Sequence, residues 1–242
     1  MKRWILLLCC ILLAFSVTGC TGENSSSGSS SEPSSSQIQL QEDPEDPETA
    51  AALELVAEAD CEVPDFLTEE QQTLYRKAYT AYKQFALYTD GFGSTEWSPV
   101  TVEEYDNSFC VGNGSITTWK DYETAMLGLF TPDYLEELNL TVTELEDGTT
   151  LRYACFADYQ GQLAFSDGAR GSNITYLGPD TFELISQTED EIRFYVIGTY
   201  QDYVENEAGE LVQEGEITQR KYEIVLTHTE NGWRFSQFAL TI

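Results

Sequence analysis

The hydrophobic pattern of this chain changes period once, and that change limits the fold more than any other feature. Between residues 68 and 139, apolar side chains recur at helical spacing. From residue 151 to residue 240 they alternate with polar side chains, at the period of a β-strand. Helices followed by long strands with short turns are typical of an α+β domain. We expect a curved antiparallel sheet whose concave face packs on the N-terminal helices.

Three helix starts can be read from their capping residues. Thr68 to Gln71 has the spacing of a capping box, in which two side chains satisfy amides at the helix start. Thr118 is placed to cap a second helix, and Thr131-Pro132 begins a third, because proline loses nothing at a first helical position. The first helix should end before Asp90-Gly91, and the third near Asn139.

Six segments of the C-terminal half are predicted strands. They cover residues 151–156, 174–177, 181–186, 192–200, 217–227 and 233–240. Asn231-Gly232 is the strongest hairpin signal in the chain, and residues 205–209 form a second predicted hairpin loop.

The first twenty residues have the pattern of an export signal. Lys2 and Arg3 precede an apolar stretch over residues 4–15, which is too short to cross a bilayer. Residues 17–20, Val-Thr-Gly-Cys, resemble the lipobox of bacterial prolipoproteins. The resemblance implies a signal peptide over residues 1–19, lipidation of Cys20, and a protein held at the extracytoplasmic face of the cell membrane. The alternative is an ordinary secretory signal with a chance cysteine.

A polar segment follows the predicted lipidation site. Residues 24–36 are rich in serine, and residues 42–48 alternate acidic residues with prolines, so neither stretch can bury much apolar surface. We expect a disordered tether over residues 20–65, with a short helix within 50–59 as an alternative. The remaining residues, 66–242, are enough for one domain.

The charge of the chain restricts its partners. It has 42 acidic and 12 basic side chains, for a formal charge of −30. Such a field repels nucleic acid and anionic lipid, so a lipid on Cys20 would have to anchor the protein without a basic patch. A basic cell-wall protein would be attracted, although the charge could equally serve solubility alone.

The residues that could carry catalysis or bind metal are few. Cys61, Cys110 and Cys155 remain after Cys20, and a Cys110–Cys155 disulfide is one of three pairings that the sequence allows. His228 is the only histidine, so we expect no metal site and no cofactor. A catalytic carboxylate would have to be buried, with Asp158 or Glu183 as candidates. Nothing supports catalysis, and we expect that the protein is not an enzyme.

The loop over residues 166–173 is the strongest candidate for binding a partner. It combines glycines, turn-forming polar residues and one arginine, whose planar group can pair with a carboxylate. We expect Asp167, Arg170 and Asn173 to contact a partner. Four tyrosines could enrich the binding surface, although on alternating strands half of them would be core: Tyr153, Tyr159, Tyr176 and Tyr203. The alternative is a structural turn in which Arg170 pairs with a carboxylate of its own chain.

Two resemblances are carried by the order of short motifs. Residues 129–134, Leu-Phe-Thr-Pro-Asp-Tyr, and the ending Asn-Gly-Trp-Arg-Phe at 231–235 resemble the NTF2-like and cystatin-like class of folds. Together with residues 67–71, Ala78-Tyr79, Phe85 and residues 169–174, they resemble the IseA-type inhibitors of cell-wall DL-endopeptidases. That resemblance implies a lipoprotein that inhibits or regulates an NlpC/P60-type peptidoglycan hydrolase. The alternative is an NTF2-like domain that binds a small ligand without catalysis.

Overall fold

The computed structural model describes residues 46–166, 168–169 and 171–242. The predicted signal peptide, Cys20 and the first part of the predicted tether lie outside the described residues. So do Asp167 and Arg170, two of the three residues expected to bind a partner.

The described part of the chain contains four α-helices. They are α1 (Pro47–Leu53), α2 (Glu69–Ala86), α3 (Trp119–Leu129) and α4 (Pro132–Asn139). The capping box of α2 is confirmed, because Thr68 Oγ1 accepts from the Gln71 amide while Gln71 Oε1 accepts from the Thr68 amide. Thr118 caps α3 through the Asp121 amide, and Pro132 occupies the first turn of α4. No described helix is both long and apolar enough to cross a membrane.

Fourteen strands are found among the described residues. In chain order they are β1 (Tyr88–Thr89), β2 (Trp97–Val100), β3 (Phe109–Gly112), β4 (Leu140–Glu144), β5 (Thr150–Ala154), β6 (Phe156–Tyr159), β7 (Gln162–Ser166), β8 (Gly168–Ala169), β9 (Thr181–Gln187), β10 (Glu191–Gln201), β11 (Val204–Glu205), β12 (Leu211–Val212), β13 (Ile217–Thr229) and β14 (Gly232–Gln237).

The strands form antiparallel sheets, and the predicted α+β class is confirmed. One four-stranded sheet has the order β14-β13-β10-β9, and a second has the order β2-β3-β7-β6. Three two-stranded ribbons pair β1 with β8, β4 with β5, and β11 with β12. The expected single sheet is therefore divided between two larger sheets and these ribbons.

The sheet built on β10 and β13 curves over helix α2. Its register shifts between Arg193 and Phe194 and again between Val225 and Leu226, and such bulges bend a strand. Tyr75 of α2 lies in the resulting concavity and is 1 % exposed. Its ring packs against four phenylalanine rings of the sheet and the chain that follows it, those of Phe182, Phe194, Phe235 and Phe238.

The predicted end of the tether at residue 65 is wrong. Helix α1 packs on α3, and the side chains of Leu53 and Val56 are buried. A Cβ on Gly128 of α3 would lie 3.0 Å from Thr49 Cγ2, so the glycine allows this close approach. Lys77 of α2 donates from Nζ to the carbonyl oxygens of Leu53 (2.8 Å) and Val56 (3.2 Å). Because the acidic run ends at Glu48, the apolar residues that follow can join the core.

The Cys110–Cys155 disulfide, one of the three pairings that the sequence allows, does not fit the second sheet. Cys110 of β3 lies opposite Phe165 of β7, while the Cys155 carbonyl accepts from the Ser166 amide on the other side of β7. Two strand spacings of about 4.8 Å separate the backbones of these cysteines. Cα atoms joined by a disulfide lie within about 7 Å, so the intervening strand prevents this pairing.

Candidate functional site

The loop that precedes β9 continues the edge of the curved sheet. The Leu177 amide donates to the Thr199 carbonyl (2.9 Å), and the Gln201 amide donates to the Thr175 carbonyl (2.8 Å). Residues 174–177, a predicted strand, make only the bridge between Tyr176 and Tyr200 in place of a full ladder. The loop is thereby fixed against the end of β10.

Of the three predicted partner-binding residues, the structure describes Asn173. Its Oδ1 accepts from the Thr175 amide (3.0 Å) and from Thr175 Oγ1 (2.8 Å). This oxygen therefore shapes the loop. The neighbouring Ile174 side chain is 74 % exposed, so the loop presents an apolar group to solvent.

A buried carboxylate lies directly beneath this loop. Asp180 Oδ1 accepts from the Tyr176 hydroxyl (2.9 Å) and from Thr241 Oγ1 (2.7 Å), and the residue is 8 % exposed. Burial raises the pKa of Asp180 and raises the pKa of Tyr176 to about 12. The Tyr200 hydroxyl donates to the Thr241 carbonyl (2.6 Å), which adds a third contact to the same cluster.

The two carboxylates considered from the sequence are not buried. Asp158 is exposed, and its Oδ1 accepts from the Gly161 amide in a turn. Glu183 is exposed on β9 and pairs with Lys221. The buried carboxylate is Asp180, which follows Gly178-Pro179 in what reads as an ordinary turn. Its burial depends on contact with Thr241, which lies 61 residues later in the chain.

The thiol of Cys61 is partly buried, and the ring of His228 has an aromatic neighbour. Burial raises the pKa of the Cys61 thiol to about 11, so it carries very little thiolate near neutral pH. The His228 ring packs on the Trp233 ring, with centroids 4.9 Å apart. Within the described residues, no group of three His, Cys, Asp or Glu side chains is placed to hold a metal ion.

A groove of about 450 Å³ lies between the loop and the end of α2. Its walls are mainly apolar and come from the end of α2 and the residue after it, the loop, β13 and the chain after β14: Tyr82, Ala86, Leu87, Gly171, Ser172, Asn173, Tyr222, Ala239, Leu240 and Ile242. The volume falls in the range of about 300–1,000 Å³ that is usual for small-molecule sites.

Exposed apolar side chains gather at the far end of the β10–β13 hairpin. We call this surface the tip and define it by Ile174, Tyr203, Val204, Leu211 and Ile217, which are 40–74 % exposed. Pairing brings their backbones close together, since Val204 lies opposite Val212, Ile217 lies opposite Gln201, and Gln201 bonds to Thr175 next to Ile174. Leu211 lies opposite Glu205, so Leu211 and Val204 are on opposite faces of the β11–β12 ribbon.

The tip is held by side-chain hydrogen bonds and is strongly acidic. Asn206 Oδ1 accepts from the amides of Ala208 and Glu210, and the Gln201 side chain donates to the Gly215 carbonyl. Residues 202–217 contain six carboxylates and no basic residue: Asp202, Glu205, Glu207, Glu210, Glu214 and Glu216. All six are exposed. The tip is therefore a hydrogen-bonded hairpin end on which exposed apolar side chains stand among carboxylates.

No protein-family model matches this sequence, and a search among curated proteins finds no similar chain.

Proposed function

We propose that this protein is a lipoprotein, anchored through Cys20 at the extracytoplasmic face, that binds and inhibits or regulates a cell-wall peptidoglycan hydrolase. The observation that carries the proposal is the tip, where exposed apolar side chains stand among carboxylates. Exposed apolar surface of this kind is typical of sites that bind other proteins. The lipobox and the IseA-type motifs direct the choice of partner to an NlpC/P60-type DL-endopeptidase.

The charge of the tip favours a basic partner. Complementary potentials accelerate encounter and exclude partners of like charge, whereas buried apolar and aromatic anchors supply most of the affinity. In this proposal the carboxylates steer a basic hydrolase domain to the tip, and Tyr203, Leu211 and Ile217 make the central contacts.

The test uses the full chain, purified in a mild nonionic detergent, and several NlpC/P60-type endopeptidases digesting cell wall. We expect loss of hydrolysis near one-to-one stoichiometry, and weaker inhibition as salt is raised. Replacing both Leu211 and Ile217 with serine should weaken inhibition at least tenfold. The matched control is Val142→Ser, which removes a similarly exposed apolar side chain from β4.

Two results would count against the proposal. If none of the endopeptidases is bound or inhibited, an NlpC/P60-type hydrolase is not the partner. If inhibition occurs but the serine variant is as potent as the control, the tip is not the contact surface.

The groove beside the loop favours a second candidate, binding of a small apolar ligand without catalysis. Indole, a soluble apolar probe, should shift the amide resonances of Gly171 and Ser172 in the full chain. Ala239→Phe, which adds a ring to the groove wall, should abolish the shift. If these resonances do not change at the highest soluble concentration of indole, the groove does not bind an apolar ligand of this kind.

A further inference from the structure

A second cleft, far from the tip in sequence, lies between helices α3 and α4 and encloses about 250 Å³. Its lining comes entirely from these helices: Trp119, Tyr122, Glu123, Leu127, Pro132, Leu135, Glu136 and Asn139. The volume is below the range of about 300–1,000 Å³ usual for cofactor and small-molecule sites. It suits a single side chain.

Helical spacing places side chains that line the cleft on the same face of each helix. Trp119, Glu123 and Leu127 are four residues apart on α3, and Pro132 and Glu136 are four apart on α4, so each set shares one face. The cleft thus has one aromatic wall, aliphatic walls and a carboxylate on each helix. No basic residue is among those that line it. The nearby Lys120 extends to Glu48 of α1, at 2.6 Å.

Tyr122 contributes a buried side chain to the lining of this cleft. The residue is 2 % exposed, and its hydroxyl has no hydrogen-bond partner among the described groups. Its ring packs on Phe156 in the core, with centroids 4.7 Å apart, so Tyr122 forms the closed base of the cleft. The remaining polar lining group, Asn139, already bonds through its side chain to the backbone of Phe156 at both the amide and the carbonyl.

We propose that the α3–α4 cleft binds a basic amino-acid side chain of a polypeptide, a lysine or an arginine. The aliphatic stem of such a side chain packs against Leu127, Pro132 and Leu135. Its cationic head lies beside the Trp119 ring, the residue type that attracts cations best, and between the carboxylates of Glu123 and Glu136. An apolar side chain would leave both carboxylates without compensation, and an acidic one would be repelled.

The test measures the indole N–H resonance of Trp119 in the full chain in nonionic detergent, assigned by its loss in Trp119→Phe. The probes are N-acetyl-lysine methylamide, N-acetyl-arginine methylamide and N-acetyl-norleucine methylamide. Norleucine has the lysine stem without the amine. We expect saturable shifts with the first two probes and at least fivefold weaker binding of the third. Binding should weaken as salt is raised.

Charge variants locate the site. Glu123→Gln and Glu136→Gln should each weaken lysine binding about threefold, and the double variant about tenfold. The control is Glu137→Gln, which removes the same charge from α4 outside the cleft and should leave binding unchanged. The carboxylates of all three residues are exposed, so these variants should fold normally.

Three outcomes would overturn the inference. The first is no shift with up to 50 mM of any probe, and the second is equal binding of norleucine and lysine. The third is binding of n-butylammonium without binding of N-acetyl-lysine methylamide. That result would show that the cleft accepts a small alkylamine but not a lysine side chain on a peptide backbone. None of these measurements uses a hydrolase or the tip, so they stand apart from the proposed function.

Discussion

Thr241 donates its hydroxyl hydrogen to Asp180, and this 2.7 Å contact joins two residues 61 positions apart. The same carboxylate oxygen accepts from Tyr176, and the Thr241 carbonyl accepts from Tyr200. The cluster therefore holds three segments together: the loop before β9, the end of β10 and the chain after β14.

Thr241→Val keeps the shape of the side chain but removes this donor. A hydrogen bond to a charged group contributes about 1.5–3 kcal/mol, so we expect the free energy of unfolding to fall by about that amount. Urea unfolding of the full chain at pH 7 measures it. Thr143→Val, at an exposed position on β4, is the control and should stay within about 0.5 kcal/mol of the parent. Equal effects of the two variants would contradict a role for the cluster.

The stability that depends on Asp180 should decrease as pH rises. Burial raises its pKa above the unfolded value of about 3.9, so in the window between the two pKa values the folded state binds more protons than the unfolded state. Stability then falls as pH increases through this window. Asp180→Asn removes the titration, so the variant should gain stability relative to the parent as pH rises above about 4. Urea unfolding at each pH checks this, and a difference that is constant or of opposite sign would contradict it.

Lys77 should control whether α1 stays docked. Its Nζ is buried and donates to the carbonyl oxygens of Leu53 and Val56, whereas Lys120 also reaches α1 but only at the surface, through Glu48. Lys77→Met leaves the Val56 carbonyl without its donor and the Leu53 carbonyl with only the Val56 amide, so we expect a loss of about 1–3 kcal/mol. Hydrogen exchange should accelerate over residues 50–56. Lys120→Met is the control, and equal exchange in the two variants would show that α1 is held by its apolar contacts alone.

Cys61 should react slowly with alkylating agents. At pH 8, a thiol with a pKa of about 11 has about one hundredth of the thiolate fraction of a thiol with the ordinary pKa of 9.0. The higher intrinsic nucleophilicity of such a thiolate offsets part of this, so alkylation by iodoacetamide should be about tenfold slower than for an unhindered thiol. Mass spectrometry of the Cys61 peptide measures the rate, which should keep rising up to pH 10. A plateau near pH 9 would show that burial does not protect the thiol.

The sequence by itself determined the elements whose stabilising contacts are local. The capping box at Thr68, the cap at Thr118, Pro132 in the first turn of α4 and the hairpin at Asn231-Gly232 all occur as predicted. Each depends on hydrogen bonds or backbone preferences within about four residues, so the residue types are sufficient to identify them.

Burial was decided only by the tertiary structure. Leu53 and Val56 follow an acidic, proline-containing run, yet they pack in the core because Gly128 and Lys77, distant in the sequence, provide the space and the hydrogen bonds. Asp180, in place of Asp158 or Glu183, is buried because Thr241 lies against it. Cys110 and Cys155 are kept apart by β7. Each outcome depends on which distant segments meet, and a pattern of neighbouring residues does not encode that.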